Sequence, residues 1–263
     1  MLYHLQIAEF ALALHKPGDA GFYGHRARDV RKAYNDAFFD AKRGVYRDGI
    51  GTDHASLHAN AAALAFGLVH GKDAKRVAQY CISKGMACSV YFAQYLLEGL
   101  FKAGEADAAL ALMTASGDRS WLGMMDFGST TTMEAWAVKY KPNLDLCHAW
   151  GTAPINVISR YVLGVTPMEP GFAKIRVRPQ VGPLTRVEGK VPTAKGPVTH
   201  CIPRQMPRKG ILCSRAYFIA AILPSTPRDP NPPGTRMPSM SFISRGDAEA
   251  RRFSHSPLLR SSA

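Results

Sequence analysis

A change of hydrophobic period near residue 165 constrains this chain more than any other feature. From residue 2 to about 165, apolar residues recur at spacings of three and four, the pattern of helices with one buried stripe. The spacing predicts helices over 2–14, 25–39, 57–69, 74–83, 89–103, 106–114 and 150–163. Gly, Asp, Ser and Thr punctuate them as helix ends require, for instance at Gly104-Glu105-Ala106-Asp107. The run Ala59, Ala61, Ala62, Ala63, Ala65 and Gly67 would let neighbouring helices approach closely. Short connections then imply successive antiparallel helix hairpins. Residues 44–49 read as a short extended piece between helices. After 170 the period becomes two: Lys174-Ile175-Arg176-Val177-Arg178-Pro179 alternates polar and apolar, a strand with one buried face. Residues 184–191, bounded by Pro183 and Pro192, are the expected partner strand.

Residues 201–263 differ from both regions. They hold 9 of the 18 prolines and keep neither period for long. An irregular segment is expected there, with most of 225–263 disordered. The net charge of +13 raises a nucleic-acid reading. The distribution argues against it. The tail has 10 Lys/Arg against 3 Asp/Glu, and the first 200 residues have 23 against 17, scattered along helices without a stripe or interleaved aromatics. A solvated basic surface is expected, with no nucleic-acid partner. No apolar run reaches the ~18 residues of a spanning helix, so no membrane segment is expected. Residues 1–15 are apolar but lack a basic start and contain Glu9, which reads as an amphipathic helix and not an export signal. That leaves the compartment open, with the cytoplasm as default. The five cysteines are odd in number and contain no CxxC pair, so reduced, mostly buried thiols are expected.

Five motifs occur in a fixed order between residues 44 and 197. Tyr46-Arg47-Asp48 is followed by His54-Ala55-Ser56-Leu57-His58-Ala59-Asn60-Ala61. Gly85-Met86-Ala87-Cys88-Ser89-Val90-Tyr91 leads into a helix. Gly117-Asp118-Arg119-Ser120-Trp121-Leu122 precedes Gly128-Ser129-Thr130-Thr131-Thr132-Met133-Glu134-Ala135-Trp136. Lys139-Tyr140-Lys141-Pro142-Asn143 precedes His148-Ala149-Trp150-Gly151-Thr152-Ala153-Pro154. Gly164-Val165 and Pro170-Gly171-Phe172-Ala173-Lys174-Ile175 close the series. Together they resemble the C-terminal half of the catalytic domain of the bacterial-type α-L-rhamnosidases, family 78 of the glycoside hydrolases. The resemblance implies a mainly α fold: part of an (α/α)6 six-hairpin toroid over 1–166, the start of a C-terminal β-sandwich over 167–200, and a tail over 201–263.

Glycoside hydrolysis usually takes two carboxyl groups, one protonating the leaving oxygen and the other acting on the opposite face of the sugar. The resemblance implies an inverting mechanism with Glu134 as general base. It also makes His148 a contact to bound rhamnose and a rhamnose-containing glycan or glycoside the partner. Thr131 and its neighbouring threonines can supply hydroxyls to orient the carboxylate and its water. Trp136 and Trp150 can wall the sugar. Thr131-Thr132-Met133-Glu134 also fits a helix capping box, a purely structural alternative. No cofactor or metal is expected. His54 and His58 stand four apart but have no third ligand at metalloenzyme spacing. Asp48 and Asp53 read as loop carboxylates capping a helix that begins near Ser56.

The chain also departs from the family pattern. The family's general acid lies in an upstream segment with an Arg-Asp-Glu core, and His25-Arg26-Ala27-Arg28-Asp29 is not that motif. Cys147 stands where Asn is common, and Leu146 where an aromatic is common. A reading-frame shift near residue 199, with an upstream start also lost, is the expected origin of the foreign tail. Helix faces left without their neighbouring hairpins should then be apolar and exposed. These departures leave two functional expectations: a glycosidase fragment with little activity of its own, or a non-catalytic carbohydrate-binding or scaffold protein that keeps the pocket wall. The oligomeric state cannot be read from the sequence.

Overall fold

The computed structural model describes residues 1–202 and the backbone of 242–243. The chain divides into two compact units, Met1–Val157 and Ile158–Ala263.

The first unit is built from helix hairpins. Helix α1 (Leu2–Ala13) packs on α2 (Pro17–Phe38). Helix α2 begins eight residues earlier than its apolar stripe suggests. Pro17 occupies the first turn, where its missing N–H costs nothing, although Gly18 and Gly21 weaken the helical pattern there. The reading of residues 1–15 as amphipathic needs correction. Only Ala11 is buried, while Tyr3 is 79% exposed, Phe10 67%, and Leu12 and Leu14 are nearly as open. The helix is apolar on both flanks of the side that meets α2. An apolar surface of this extent marks a place for contact with another element.

The core lies around α3 (Leu57–Ala65), α4 (Gly71–Lys84) and α5 (Ala93–Ala103), with α6 (Ala106–Met113) against α5. Ala61, Ala63, Leu96, Leu97 and Leu100 are fully or almost fully buried. The small residues of α3 let α5 approach so closely that a Cβ on Gly99 would come within 2.9 Å of the Leu64 Cβ. Ser56 caps α3 by accepting from the Ala59 N–H, and Asp48 Oδ1 accepts from the Ser56 N–H at 2.8 Å. Asp48 therefore supports the start of this helix. A two-residue ladder, β1 (Phe39–Asp40) with β2 (Val45–Tyr46), links α2 to α3. Buried Asn60 brackets β2: its Oδ1 accepts from the Tyr46 N–H, and its Nδ2 donates to the Tyr46 and Ser56 carbonyls.

Two further elements of this unit and its end differ from the sequence expectation. A six-residue helix, α7 (Trp121–Asp126), capped by buried Ser120, is too short to show a period. The single helix expected over 150–163 is instead a 3₁₀ turn (Ala149–Gly151), α8 (Ala153–Val157) and a π turn (Ile158–Val162). Pro154 explains the break, because inside a continuous helix it would lose a hydrogen bond and clash with the preceding turn.

In the second unit, β3 (Val165–Pro167) pairs antiparallel with β4 (Ile175–Val177). Strand β5 (Arg186–Val191) lies between β6 (Val198–Ile202) and β7 (Phe242–Ile243). The expected pairing of 174–179 with 184–191 is thus replaced by two separate sheets. Gly164 makes the first possible: at φ +72° it sits 2.2 Å, measured from a hypothetical Cβ, from the Arg178 backbone. The strand β6 carries residues 201 and 202, and the rest of the expected irregular tail falls outside the described residues apart from β7. Among the described residues no helix is long and apolar enough to cross a membrane.

Candidate active site

The segment from Ser129 to Trp136 is not helical, so the capping-box reading of Thr131–Glu134 is overturned. It runs as an irregular extended stretch against residues 144–148. The Glu134 N–H donates to the Asp145 carbonyl at 2.9 Å, and the His148 N–H donates to the Thr132 carbonyl at 2.7 Å. The Thr131 hydroxyl donates to the Leu146 carbonyl, and the Thr132 hydroxyl to the His148 carbonyl. These hydroxyls stitch two loop segments together and do not orient a carboxylate, which corrects the role expected of the threonines. The alternation of an extended chain puts Met133 fully inside while Glu134 lies nearer the surface.

Glu134 is drawn into a polar cluster by this zipper. Its side chain is 14% exposed, with Oε1 on the Lys141 ammonium and Oε2 accepting from the Asp145 N–H at 3.2 Å. The Lys141 hydrogen bond first, and the Asp145 N–H second, hold its carboxyl below the ordinary value of 4.5. The group is therefore ionised at neutral pH. His148 Nδ1 lies 3.5 Å from Asp145 Oδ2, and its ring packs on Trp150 with centroids 4.0 Å apart. Trp150 is 44% exposed and meets Tyr91 at 5.2 Å. Glu134, His148 and Trp150 thus share one surface, and Thr131 braces its loop.

Trp136 is placed differently. It is 4% exposed, donates Nε1–H to the Cys88 carbonyl at 2.7 Å and stands edge-on to Trp121 at 5.0 Å. It lies beneath the loop and does not form an open wall. His54 precedes α3 and pairs with Asp48, whereas the His58 ring packs on Phe92, so these two histidines do not converge. Sequence reasoning missed Asp145 and Lys141 as neighbours of Glu134. Lys141 stood in a recognised motif, but nothing in its spacing from Glu134 signals an ion pair.

Ligand atoms of Glu134, Asp145 and His148 lie within 4.8 Å of one another, a donor set able to hold a divalent cation. The sequence suggested no such set. The Lys141 ammonium already supplies the counter-charge to Glu134 and would have to leave.

Replacing Lys141 by Met removes the main cause of the Glu134 shift. The carboxyl of K141M is expected to titrate nearer its ordinary value. The stability contributed by this depressed pKa is complete above the ordinary value and is lost as pH falls through the folded one. The acid edge associated with Glu134 should therefore move up in K141M. An NMR pH titration of the Glu134 carboxyl reads this directly, and an unchanged midpoint would exclude the ammonium as its cause.

Residues 2–162 match the family model described as the bacterial alpha-L-rhamnosidase 6 hairpin glycosidase domain. A curated alpha-L-rhamnosidase of Alteromonas sp. (strain LOR) is 28% identical over 202 residues, covering 72% of this chain and 21% of that protein. The solved alpha-L-rhamnosidase of Dictyoglumus thermophilum superposes with a TM-score of 0.65 at 22% identity, covering 75% of this chain and 23% of its own. The enzyme of Aspergillus terreus gives 0.64 at 21% identity, covering 76% and 24%. The Streptomyces avermitilis enzyme, solved with L-rhamnose, gives 0.59 at 23%, covering 73% and 19%. The structural likenesses show a shared fold, and the chain spans about a fifth of the length of these relatives. With a family match over more than half its length, the chain belongs to the bacterial alpha-L-rhamnosidases with a six-hairpin glycosidase domain, a glycoside hydrolase family.

Proposed function

We propose that this chain carries the base side of an inverting α-L-rhamnoside hydrolysis, with Glu134 as general base. His148 donates to a hydroxyl of a terminal rhamnose and Trp150 offers it a ring face. Trp136 supports the site from below, and Thr131 fixes the loop that presents Glu134. The observation that carries this reading is the ionised Glu134 carboxylate, largely covered yet on the same surface as His148 and Trp150. Each carboxylate oxygen has a second lone pair, so a water can still bind Glu134 beside Lys141 and the Asp145 N–H. That water would lose its proton to Glu134 as it attacks the anomeric carbon. In an inverting site the opposing acid stands roughly 6.5–9.5 Å away. No segment of this chain resembles the family's acid motif, so the chain by itself is a weak catalyst or an inactive piece of the machinery.

A non-catalytic sugar-binding role is the second reading, favoured by the engagement of both Glu134 oxygens with protein donors. Both readings require rhamnose to bind. Calorimetric titration with L-rhamnose is expected to give a measurable affinity that falls about tenfold or more in His148→Ala, the loss of one hydrogen bond to a sugar hydroxyl together with its ring contact. No affinity in the wild-type chain at tens of millimolar sugar would overturn both. Turnover separates them.

A further inference from the structure

We propose that α1 is the contact surface of a homodimer, in which two copies of the chain pair antiparallel along a stripe of Tyr3, Ile7, Phe10 and Leu14. The proposal is independent of the sugar site. These four residues follow one another at spacings of four, three and four. That is the spacing of a seam along which two helices interlock. At 3.6 residues per turn they fall within about 60° of one another around the helix. The side that meets α2 is a different one. It carries buried Ala11 and also His4, whose ring lies 6.2 Å from that of Tyr23 in α2. Tyr3 is 79% exposed, Phe10 67%, Leu14 66% and Ile7 39%, so the stripe is open along its whole length.

The stripe fits a second copy of itself. Its spacing reads the same from either end, so a helix turned end over end presents the same seam. A two-fold axis passing between Ala8 and Glu9 sets Tyr3 of one copy against Leu14 of the other, and Ile7 against Phe10. Each layer then places an aromatic ring against an aliphatic chain, and each contact occurs twice, as an isologous interface requires. Charge does not oppose the pairing. Glu9 is the one Asp, Glu, Lys or Arg between residues 2 and 14. It lies about 130° around the helix from the middle of the stripe, so the two copies bring no like charges together.

The area agrees. The four side chains expose roughly 500 Å² per chain, taking ~200 Å² for a fully open side chain, the middle of the aromatic range. A pair would bury about 1,000 Å² in total, the lower bound for a specific interface. That extent predicts a reversible dimer and not an obligate one. Because α2 covers a different side of α1, a second helix can lie along the stripe without displacing it. Two α1–α2 hairpins then form a four-helix array, a packing in which antiparallel neighbours share such seams.

Sedimentation velocity on the full 263-residue chain tests this. Between about 1 and 200 µM it is expected to show a monomer–dimer equilibrium with a dissociation constant on the order of 10 µM, as suits a small interface. Phe10→Lys should raise that constant about tenfold or more, because the dimer would bury an unpaired charge. Leu12→Lys should leave it unchanged, since Leu12 is as exposed as Phe10 but lies on the far side of α1 from the stripe. Far-UV circular dichroism checks that each variant is folded. Ile7→Glu should also weaken self-association. An equimolar mixture of Ile7→Glu and Phe10→Lys chains should dimerise again, because antiparallel pairing sets the new carboxylate against the new ammonium. A wild-type chain still monomeric at about 200 µM would overturn the pairing and leave the stripe to an unlike partner. Self-association unchanged in Phe10→Lys, or lost equally in Leu12→Lys, would overturn it as well. A mixture that stays monomeric would overturn the antiparallel register.

Discussion

On a rhamnoside with an alkyl or sugar leaving group, the 263-residue chain is expected to turn over about 10²–10⁴-fold more slowly than an acid-bearing rhamnosidase of the family, the usual contribution of leaving-group protonation. The reason lies in the bond being broken. An alkoxide is a poor leaving group, and without a positioned acid its oxygen must depart with full negative charge. As the proposed base, Glu134 cannot also be the acid, because in an inverting site the two stand on opposite sides of the sugar. Its depressed pKa also keeps it ionised and unable to donate a proton at neutral pH. A nitrophenyl leaving group stabilises its own charge, so the deficit on a nitrophenyl rhamnoside should be much smaller. That contrast between leaving groups is the diagnostic, since a merely misfolded site would lose both substrates alike. Any residual nitrophenyl turnover should disappear in Glu134→Gln, which keeps the shape of the side chain but cannot accept the proton of water. Full turnover of an alkyl rhamnoside would show that this chain contains or recruits an acid. Residual turnover untouched by Glu134→Gln would remove Glu134 from the reaction.

The parts of the fold that were legible in the sequence are those with a long enough period. Helices α3 to α6 show stripes of three and four, and their ends fall within a few residues of the expected ones. The spacing predicts a helix from residue 89, but α5 starts at Ala93, and ahead of it the Ser89 hydroxyl accepts from the Phe92 N–H in a turn. Elements of five or six residues, such as α7 and α8, are shorter than the window in which a period can be counted. Strand pairing was missed for another reason: alternation shows that residues 174–179 have two faces, but it does not say which strand lies beside them. At the candidate site the residue types were legible and their partners were not. The threonine run signalled hydroxyls near a carboxylate. It could not show that those hydroxyls would be turned toward the carbonyls of Leu146 and His148. Asp145 and Lys141 reach Glu134 only because the loops from 129 and 144 run side by side, a long-range pairing with no local pattern.

Trp136→Ala is expected to destabilise the first unit by about 3–5 kcal/mol, the range for deleting a buried aromatic side chain. The residue is almost completely inside, so its removal leaves a cavity beneath the loop that carries Glu134. Trp121 would lose its edge-on partner, and the Cys88 carbonyl would lose the indole N–H that satisfies it. An unsatisfied buried carbonyl adds to the cavity term. Trp136→Phe keeps most of the ring and should cost less, though it still strands the carbonyl. Urea unfolding monitored by far-UV circular dichroism measures both, and the midpoints should fall in the order wild type, Phe, Ala. Rhamnose affinity supplies the second readout. If Trp136 touches the sugar only through the loop it supports, the Phe variant should bind rhamnose nearly as well as the wild type at low temperature, where both are folded. A Phe variant of wild-type stability that cannot bind rhamnose would instead put the indole itself in contact with the sugar. Such a result would require the loop over residues 129–135 to open.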